Sequence, residues 1–268
     1  MPEGDTVWRT AVVLHRALAG QELTASDFRV PRYATADLAG NTVDEAVSRG
    51  KHLLIRTSGP AGALSIHSHL KMEGSWRVYA PDQRWNKPAF QARIVLRTAQ
   101  ATAVGFLLGI LDLLPTAEEG SAVGHLGPDL LGPDWDAAEA LRRLMAHPDR
   151  AVGLALLDQR NLAGIGNVYR AELCFLARVH PLAPVGRVAE LPRIVQLAKT
   201  LLEANKDRSR RNTVGGPGGR NASPVWVYGR AGKPCLRCGT PVVHTLLGDT
   251  ELTERDLYFC PRCQPETI

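Results

Sequence analysis

The sequence predicts an α+β protein, in which an N-terminal β domain with a flanking helix precedes a helical region and a C-terminal cysteine hairpin. Three observations lead to this prediction. Apolar residues recur at helical spacing at the start and in the second half of the chain, short strand-like runs fill the first half, and four of the five cysteines lie near the end. A chain of 268 residues is long enough for two modest domains with separate cores.

The first half of the chain begins with a predicted helix and continues as strands. Apolar side chains from Val7 to Leu18 recur at helical spacing, and Gly20 is placed to end the helix. Short runs separated by glycine, proline and polar turns then predict strands at residues 28–30, 52–56, 64–67, 75–79 and 92–96. Such a series favours two packed sheets with the helix at their edge.

Helices are predicted in the second half of the chain. Asp136, followed three residues later by Glu139, resembles a capping box ahead of a helix at 137–145. Further helices are predicted at 152–159, 168–176 and 190–205, and a mobile loop rich in arginine, glycine and serine at 208–224. The predicted domains are residues 1–119, 136–224 and 225–268, with a linker rich in proline and glycine over 120–135.

The charge of the chain suggests a polyanionic partner without establishing one. The formal net charge is +5, and the stretch from Lys206 to Arg230 contains six basic residues and one acid. This stretch could be a solvated loop or a surface that faces phosphates, and its composition favours neither. No apolar run, including residues 107–114, is long enough to span a bilayer, and no secretory signal is evident. We therefore expect a cytoplasmic protein with no membrane partner.

Four cysteines form two CxxC pairs, Cys235 with Cys238 and Cys260 with Cys263, separated by 21 residues. Each CxxC turn directs two thiolates to one point, and two such turns provide the tetrahedral sulfur set that Zn²⁺ prefers. A redox CxxC pair or four unrelated thiols would not require this arrangement. We expect one structural zinc ion per chain at these four residues. Cys174, inside an apolar helix, is expected to be a core residue.

Two further features admit both a structural and an anion-binding interpretation. The segment from Leu157 through Gly164 to Asn167 runs from a helix into a glycine-bearing turn, and Asn167 is placed as the N-cap of the next helix. The backbone N–H groups there could bind an anion, or the turn could be an ordinary joint between packed helices. Arg255 could bind a phosphate through both ends of its guanidinium, although spacing alone favours a solvated arginine.

Motifs along the whole chain resemble those of the formamidopyrimidine-DNA glycosylase / endonuclease VIII family and occur in the same order. They are Pro2-Glu3-Gly4, Gly50-Lys51, Leu157-Asp158-Gln159 through Ala163-Gly164-Ile165-Gly166-Asn167-Val168-Tyr169, and Tyr228-Gly229-Arg230 before the cysteines. The opening Pro-Glu-Gly and the glycine-rich connection before Val225 look more like the endonuclease VIII branch. The resemblance implies a β-sandwich beside a helix-two-turn-helix domain with a zinc-finger hairpin, and DNA in the cleft between them.

The resemblance also implies a function in base excision repair. The protein would be a bifunctional DNA glycosylase and abasic-site lyase, a nucleoid-associated monomer that binds double-stranded DNA containing oxidised bases or abasic sites. Pro2 would be the nucleophile and Glu3 the general acid/base. Lys51, Asn167 and Arg255 would grip the DNA backbone around the everted nucleotide, and Lys51 is also counted with the catalytic residues. Met72 would fill the void that this nucleotide leaves.

Pro2 and Glu3 suit this chemistry. A secondary amine can attack the sugar C1′ and become an iminium ion, which permits β- and then δ-elimination of the two phosphates. An α-amino group has an ordinary pKa of about 8, so an appreciable fraction is neutral at physiological pH. Met1 must be removed first, because an acylated Pro2 nitrogen has no basicity. Glu3 would move protons at the centre that Pro2 attacks.

Departures from the family pattern favour oxidised pyrimidines as substrates. Thr6 replaces the usual second glutamate, so no relay role is assigned there. The stretch 106–109 lacks the arginine of the purine-processing branch, and 152–155 lacks its lysine.

Two alternatives stay open: a purine-directed enzyme with the same chemistry, and a non-catalytic module that binds damaged DNA. A metal-dependent nuclease is disfavoured, because no carboxylate cluster is evident and the good metal ligands form a closed thiolate set.

Overall fold

The structure is a computed structural model that describes residues 2–215 and 223–266. The chain forms two compact units, Met1–His125 and Leu126–Ile268, and the boundary falls inside the predicted linker. The helices and the cysteine hairpin both belong to the second unit, so the predicted division at residue 225 stays a prediction. Part of the predicted mobile loop, residues 216–222, lies outside the described residues.

The first unit is a β-sandwich with one long helix packed on it. Its elements are α1 (Gly4–Leu18), β1 (Ala25–Phe28), β2 (Thr42–Arg49), β3 (His52–Ser58), β4 (Leu64–His69), β5 (Ser75–Tyr79), β6 (Ala92–Arg97), β7 (Thr102–Phe106), β8 (Ile110–Pro115) and the short α2 (Gly120–Val123). One antiparallel sheet has the order β1-β6-β7-β5 and the other has the order β2-β3-β4-β8. The predicted fold class is confirmed for this unit.

A single apolar core joins α1 to both sheets. Val7, Ala11, Leu14 and Leu18 share one face of α1 and are buried with the inward side chains of the strands. The helix ends because Gly20 adopts a φ of 75°, which favours glycine, and its N–H donates to the carbonyl of Val43 at 2.8 Å. This packing fixes the beginning of α1, and with it Pro2 and Glu3.

One predicted strand of this unit is wrong in position. The strand predicted at 28–30 is found at Ala25–Phe28, where it pairs with β6 from Ala25 opposite Arg97 to Phe28 opposite Ile94. The chain then turns at a 3₁₀ segment, Pro31–Tyr33, since proline cannot donate to a sheet ladder. Strands β2, β7 and β8 were not predicted.

The second unit consists of helices followed by a two-stranded hairpin. Its elements are α3 (Ala137–Met145), α4 (Val152–Leu157), α5 (Asn167–Ala177), α6 (Leu191–Asn205), β9 (Val243–Leu247) and β10 (Arg255–Phe259). Asp136 caps α3 as predicted, accepting hydrogen bonds from the N–H groups of Ala138 and Glu139 at 2.9 and 3.0 Å. Glu139 does not close a capping box, because its carboxylate binds arginines of the same helix. None of the helices in the described ranges is long and apolar enough to cross a membrane.

Candidate functional site

The beginning of α1 carries the two residues predicted to be catalytic. Glu3 is the N-cap residue and is fully buried, and its carbonyl accepts hydrogen bonds from Thr6 and Val7 at 2.9 and 3.0 Å. Pro2 is half-buried. Burial of a carboxylate is costly, and the positive end of the helix dipole offsets part of that cost. The structure therefore places a buried acid directly after Pro2.

Thr6, which departs from the family pattern, belongs to a local network within the first turn of α1. Its N–H and its hydroxyl both lie within hydrogen-bond distance of Asp5 Oδ1, at 2.7 and 3.1 Å. The hydroxyl of Thr10 donates to the carbonyl of Thr6 at 2.8 Å. Asp5 is itself buried. Thr6 therefore stabilises the helix start and brings no second carboxylate beside Glu3.

Lys51 lies in the tight turn between β2 and β3. Arg49 pairs with His52, so Gly50 and Lys51 are the two residues of a β-hairpin loop. Gly50 has a φ of 58°, the left-handed conformation that such loops need at their first position. The charges of Lys71 and Lys51 contribute, after burial, to lowering the pKa of His69 to about 4. Lys51 and Lys71 therefore lie close to the same imidazole.

Met72 is exposed at the tip of a tight turn. The N–H of Gly74 donates to the carbonyl of Leu70 at 2.9 Å, and a Cβ at Gly74 would lie 2.4 Å from that oxygen, so the turn requires glycine. The Met72 side chain is 67 % exposed. In the stretch 106–109, which lacks the arginine of the purine-processing branch, Phe106 and Leu108 are buried in the sandwich. Met72 is therefore more exposed than the half-buried Leu107, the remaining large apolar side chain of 106–109.

Four histidines near Lys51 were not predicted to take part in a site. They are His52, His67, His69 and His125, and their rings lie against one another. One sequence signal was available, because residues two apart on a strand point to the same face, as in His67-Ser68-His69.

In the second unit, Gln159 holds together the glycine-bearing turn between α4 and α5. Its amide nitrogen donates to the carbonyls of Leu157 and Ile165 at 2.7 and 2.9 Å, and its oxygen accepts from Gly164 N at 3.0 Å. Asp158 binds Arg160 and Arg150, and hydrogen bonds from Arg160 chiefly hold the pKa of its carboxyl well below the usual range. The Asp-Gln motif therefore shapes the turn.

The prediction that Asn167 is an N-cap residue is wrong by one position. Gly166 is the N-cap of α5, with extended dihedral angles and a carbonyl that accepts from Arg170 N at 2.9 Å. Asn167 is the first residue of the helix and is buried. The beginning of α5 carries the positive end of the helix dipole, which favours an anion there.

Arg255 is the first residue of β10 and is exposed, and it donates to the carbonyl of Glu254 at 2.7 Å. The next residue, Asp256, accepts through its carbonyl a hydrogen bond from the buried Arg170 of α5 at 2.7 Å. Arg170 lies three residues after Asn167. This contact brings the strand that carries Arg255 to the helix that begins at Asn167, although the two are distant in sequence.

Glu172 of α5 anchors the segment that leads into the hairpin. It is fully buried, and its two oxygens accept from the N–H groups of Trp226, Val227 and Tyr228 at 2.7, 2.9 and 3.0 Å. The hydroxyl of Thr213 also donates to it. Sequence reasoning missed this residue, because a single glutamate in a helix gives no sign of burial.

The four hairpin cysteines form one compact cluster. Their Sγ atoms all lie within 4.8 Å of one another, with Cys238 and Cys260 3.4 Å apart and Cys235 and Cys263 3.9 Å apart. Tetrahedral zinc with bonds of about 2.3 Å separates its sulfurs by about 3.8 Å. The cluster therefore has the size and the donor set of a metal site. Cys174 is confirmed as a core residue, and burial raises its pKa to about 12.

Comparison with known proteins adds family matches in both units. Residues 1–107 match the formamidopyrimidine-DNA glycosylase N-terminal domain, and residues 126–208 match the formamidopyrimidine-DNA glycosylase H2TH domain. The chain is 60% identical to "Probable endonuclease 8 2" of Streptomyces coelicolor, with 98% of this chain and 94% of that protein covered. It is 52% identical to "DNA-(apurinic or apyrimidinic site) lyase Nei2" of Mycolicibacterium smegmatis, with 98% and 99% covered.

Similarity extends to a solved structure of lower sequence identity. The formamidopyrimidine-DNA glycosylase of Lactococcus lactis, solved with DNA that contains an abasic site, superposes with a TM-score of 0.79 at 22% identity. The alignment covers 99% of this chain and 100% of that chain. At this identity the likeness concerns the fold alone.

Proposed function

The chain belongs to the formamidopyrimidine-DNA glycosylase / endonuclease VIII family, on its endonuclease VIII branch, and we propose that it is a bifunctional DNA glycosylase and abasic-site lyase of base excision repair. The observation that carries the proposal is the full burial of Glu3 directly after Pro2. A buried carboxylate requires compensation, and proton transfer at the atom that Pro2 attacks accounts for its position.

Pro2 is the nucleophile after Met1 has been removed. Its secondary amine forms a bond to C1′ of the everted nucleotide as the base leaves with the electron pair of the glycosidic bond. The nitrogen loses its proton and the departing base gains one, so the charges balance. Glu3 protonates the sugar ring oxygen as the ring opens, which leaves an iminium ion between Pro2 and C1′. Loss of the C2′ proton then expels the 3′ phosphate, and a second elimination expels the 5′ phosphate.

Three polar residues hold the DNA backbone and one apolar residue replaces the lost base. Lys51 at the hairpin turn, Asn167 at the start of α5 and Arg255 on β10 bind phosphates around the everted nucleotide. Met72 enters the void, as its exposure at the tip of a turn permits. The protein acts as a monomer on double-stranded DNA, which places it at the nucleoid.

Zinc is the metal that suits the four-cysteine cluster, and one ion per chain would be held by Cys235, Cys238, Cys260 and Cys263. Bound there, it would supply structural cross-linking and no catalysis, since four thiolates leave no open position. The hairpin itself supplies Arg255.

Oxidised pyrimidines are the preferred lesions. Ring-saturated pyrimidines have lost aromatic stacking, so everting them costs less than everting a purine. The stretch 106–109 lacks an arginine and its Phe106 and Leu108 side chains are buried, and the stretch 208–224 contains no aromatic residue with which to stack on a purine. Excision should be measured side by side on identical duplexes carrying thymine glycol, dihydrouracil, 5-hydroxyuracil or 8-oxoguanine opposite cytosine. Faster release of 8-oxoguanine than of every pyrimidine would favour the purine-directed alternative.

Borohydride trapping on abasic DNA tests the central chemistry. Protein with a free Pro2 should form a covalent adduct that peptide mapping places on residue 2. In a parallel reaction without borohydride, the cleaved strand should carry phosphate at both ends of the gap. Protein with an N-terminal extension is the matched control and should form no adduct, because its Pro2 nitrogen is an amide. An adduct in the extended protein, or one mapped to Lys51, would refute the assignment. Binding without any adduct would favour the non-catalytic module.

A further inference from the structure

A row of imidazole rings lies on the outer face of the β2-β3-β4-β8 sheet. In the strand register His52 of β3 is opposite His69 of β4, and His67 of β4 is opposite Asp112 of β8. The alternate side chains of the same strands, such as Ile55 and Ile66, belong to the sandwich core. The histidines therefore share the face that is turned away from the core.

Two of these rings are joined by a direct hydrogen bond. His52 Nδ1 and His67 Nε2 are 2.8 Å apart, the ring planes differ by 17° and the centroids are separated by 5.0 Å. These values describe two nearly coplanar imidazoles bonded edge to edge. The His52 ring also lies against His69 at 5.0 Å and 78°, and against His125 at 6.1 Å and 82°.

The neighbours of the pair determine which nitrogen carries each proton. Asp112 Oδ2 lies 3.5 Å from His67 Nδ1, a buried atom that makes no hydrogen bond within the described residues, while Arg32 and Tyr33 hold the other oxygen of Asp112 at 3.2 and 3.3 Å. The carboxylate favours a proton on Nδ1 of His67, so that His67 Nε2 accepts and His52 Nδ1–H donates. His69 Nδ1 accepts from Lys71 N at 2.9 Å, so the neutral His69 ring carries its proton on Nε2.

All three rings are uncharged near neutral pH. Burial, then His69, His67, His125 and Lys71, lower the pKa of His52 to about 3, and burial, then Lys71, Lys51 and His67, lower that of His69 to about 4. Burial also lowers the pKa of His67, against the opposing charges of Asp112 and Glu119. The lysine charges that act on these rings are those of Lys51 and Lys71.

Metal binding explains this cluster less well than hydrogen bonding does. Over residues 2–215 and 223–266, the four cysteines are the only group of three or more potential ligands whose donor atoms lie close enough to share an ion. The nitrogens of His52 and His67 point at each other instead of at a common point.

We propose that His52 and His67 are positioning residues for DNA binding, whose hydrogen-bonded pair holds Lys51 and the His69 ring in place for the DNA backbone. This inference rests on the proposed function, since it takes Lys51 to bind a phosphate. Lys51 occupies a two-residue turn, and His52 is the next residue in the chain. Fixing the His52 side chain to β4 restricts the turn before DNA arrives, so less conformational entropy is lost on binding.

Four substitutions of a histidine by an amide residue test the pair, two that keep the hydrogen-bonding group in place and two that displace it. His52→Asn keeps a donor at the position of Nδ1, and His67→Gln keeps an acceptor at the position of Nε2. His52→Gln and His67→Asn contain the same groups one bond out of place. The exposed His147 provides the control His147→Gln in the second unit. Affinity should be measured by anisotropy on a duplex with a tetrahydrofuran abasic analogue, together with the melting temperature and the single-turnover cleavage rate of abasic DNA at saturating protein.

We expect His52→Gln and His67→Asn to raise Kd about tenfold, which corresponds to about 1.4 kcal/mol. His52→Asn, His67→Gln and His147→Gln should stay within about twofold of the wild type. Cleavage at saturation should change little in all five variants, because the pair acts on binding. In ¹⁵N spectra at pH 7.5, His52 and His67 should appear as neutral Nδ1–H tautomers and His69 as the Nε2–H tautomer.

Several results would overturn the inference. Equal loss of affinity in conservative and displaced variants, in step with a lower melting temperature, would mean that the histidines only stabilise the fold. Unchanged affinity in the displaced variants, or protonated rings at pH 7.5, would remove the pair from DNA binding. The proposed function fails separately: wild-type protein would then form no borohydride adduct, whatever the histidine variants do.

Discussion

The N-terminal sandwich and the cysteine hairpin hold their proposed site residues in opposite ways. Glu3 and Lys51 belong to elements that pack around a continuous apolar core. In the hairpin, the side chains of β9 are exposed or half-buried, and of the five β10 residues only Leu257 is buried. The shape of the hairpin depends on four cysteines, on the contact of Asp256 with Arg170 of α5, and on the preceding segment that Glu172 anchors.

This difference suggests a division of labour. Covalent chemistry requires its groups to be held within a fraction of an ångström, which a packed core provides. Phosphate binding tolerates more movement, so a small arm with little core is sufficient if a metal cross-links it. Variants of the two regions should therefore fail in different ways.

Glu3→Gln should produce the largest effect and should affect chemistry alone. The amide keeps the size of the side chain but cannot protonate the sugar, so base excision should slow by about 10²- to 10⁴-fold. Affinity for the abasic analogue should remain close to that of the wild type. Single-turnover excision and anisotropy on the same duplex measure the two quantities. Normal turnover in this variant would remove Glu3 from the mechanism.

Cys235→Ala should disorder the cysteine hairpin and leave the N-terminal β-sandwich folded. Structural zinc contributes on the order of 10 kcal/mol to the folding of small zinc modules, so loss of one ligand should release the metal and disorder the hairpin. DNA affinity should fall at least about tenfold, because Arg255 loses its support. Elemental analysis and hydrogen exchange are the measurements, and amides of β3 and β4 should stay protected. Cys174→Ala is the matched control and should retain one zinc per chain.

Arg255→Ala and Asn167→Ala should weaken binding without selectivity. Each removes one backbone contact, so affinity should fall about tenfold for damaged and undamaged duplexes alike. Arg255→Ala should also reduce the slope of log Kd against log salt by about 0.9, while Asn167→Ala, which removes no charge, should leave it unchanged. The exposed Arg193 on α6 provides the control Arg193→Ala. A selective loss for damaged DNA would place Arg255 at the lesion instead.

Mild acid should lower the stability of the N-terminal β-sandwich, and this effect should be smaller than those of the substitutions above. The pKa values of His52 and His69 are lowered to about 3 and about 4 in the folded protein, so between these values and about 6.5 the unfolded chain binds more protons. Stability from these rings is complete above about pH 6.5 and is lost as the pH falls. Calorimetry between pH 7 and 5 should show a falling melting temperature, and a smaller fall in His52→Asn. An equal fall in both proteins would contradict this assignment.

Local signals predicted the helices better than the strands. The helix at Ala137–Met145 was predicted at both ends, because Asp136 caps it directly. Strand β2 escaped notice because a bulge between Val43 and Glu45 shifts its register and interrupts the period-2 alternation. Strand β7 is buried along its whole length, so it has no polar face to alternate.

Contiguous motifs drew attention to some candidate site residues. Contacts between residues that are distant in the sequence could not be predicted. The spacing of the four cysteines predicts their cluster, whereas Pro2 and Glu3 are singled out only by the resemblance of the opening motif to the family. The His52–His67 bond joins two strands, and the Glu172 network joins α5 to residues more than fifty positions away. No local pattern encodes such pairs. The N-cap error at Asn167 has a similar origin, since Gly166 can cap a helix without a side chain.

The Glu172 network also bears on the order in which the chain can fold during synthesis. The residue is made well before Trp226, Val227 and Tyr228, whose N–H groups it needs. Until they leave the ribosome, packing α5 in its final place would bury a carboxylate that lacks most of its donors. The first unit can mature as soon as it emerges, whereas the second must wait for nearly the last stretch of translation. A nonsense codon shortly before Trp226 should therefore yield a protein whose helices α3 to α6 are unfolded. The loss should not be limited to the cysteine hairpin.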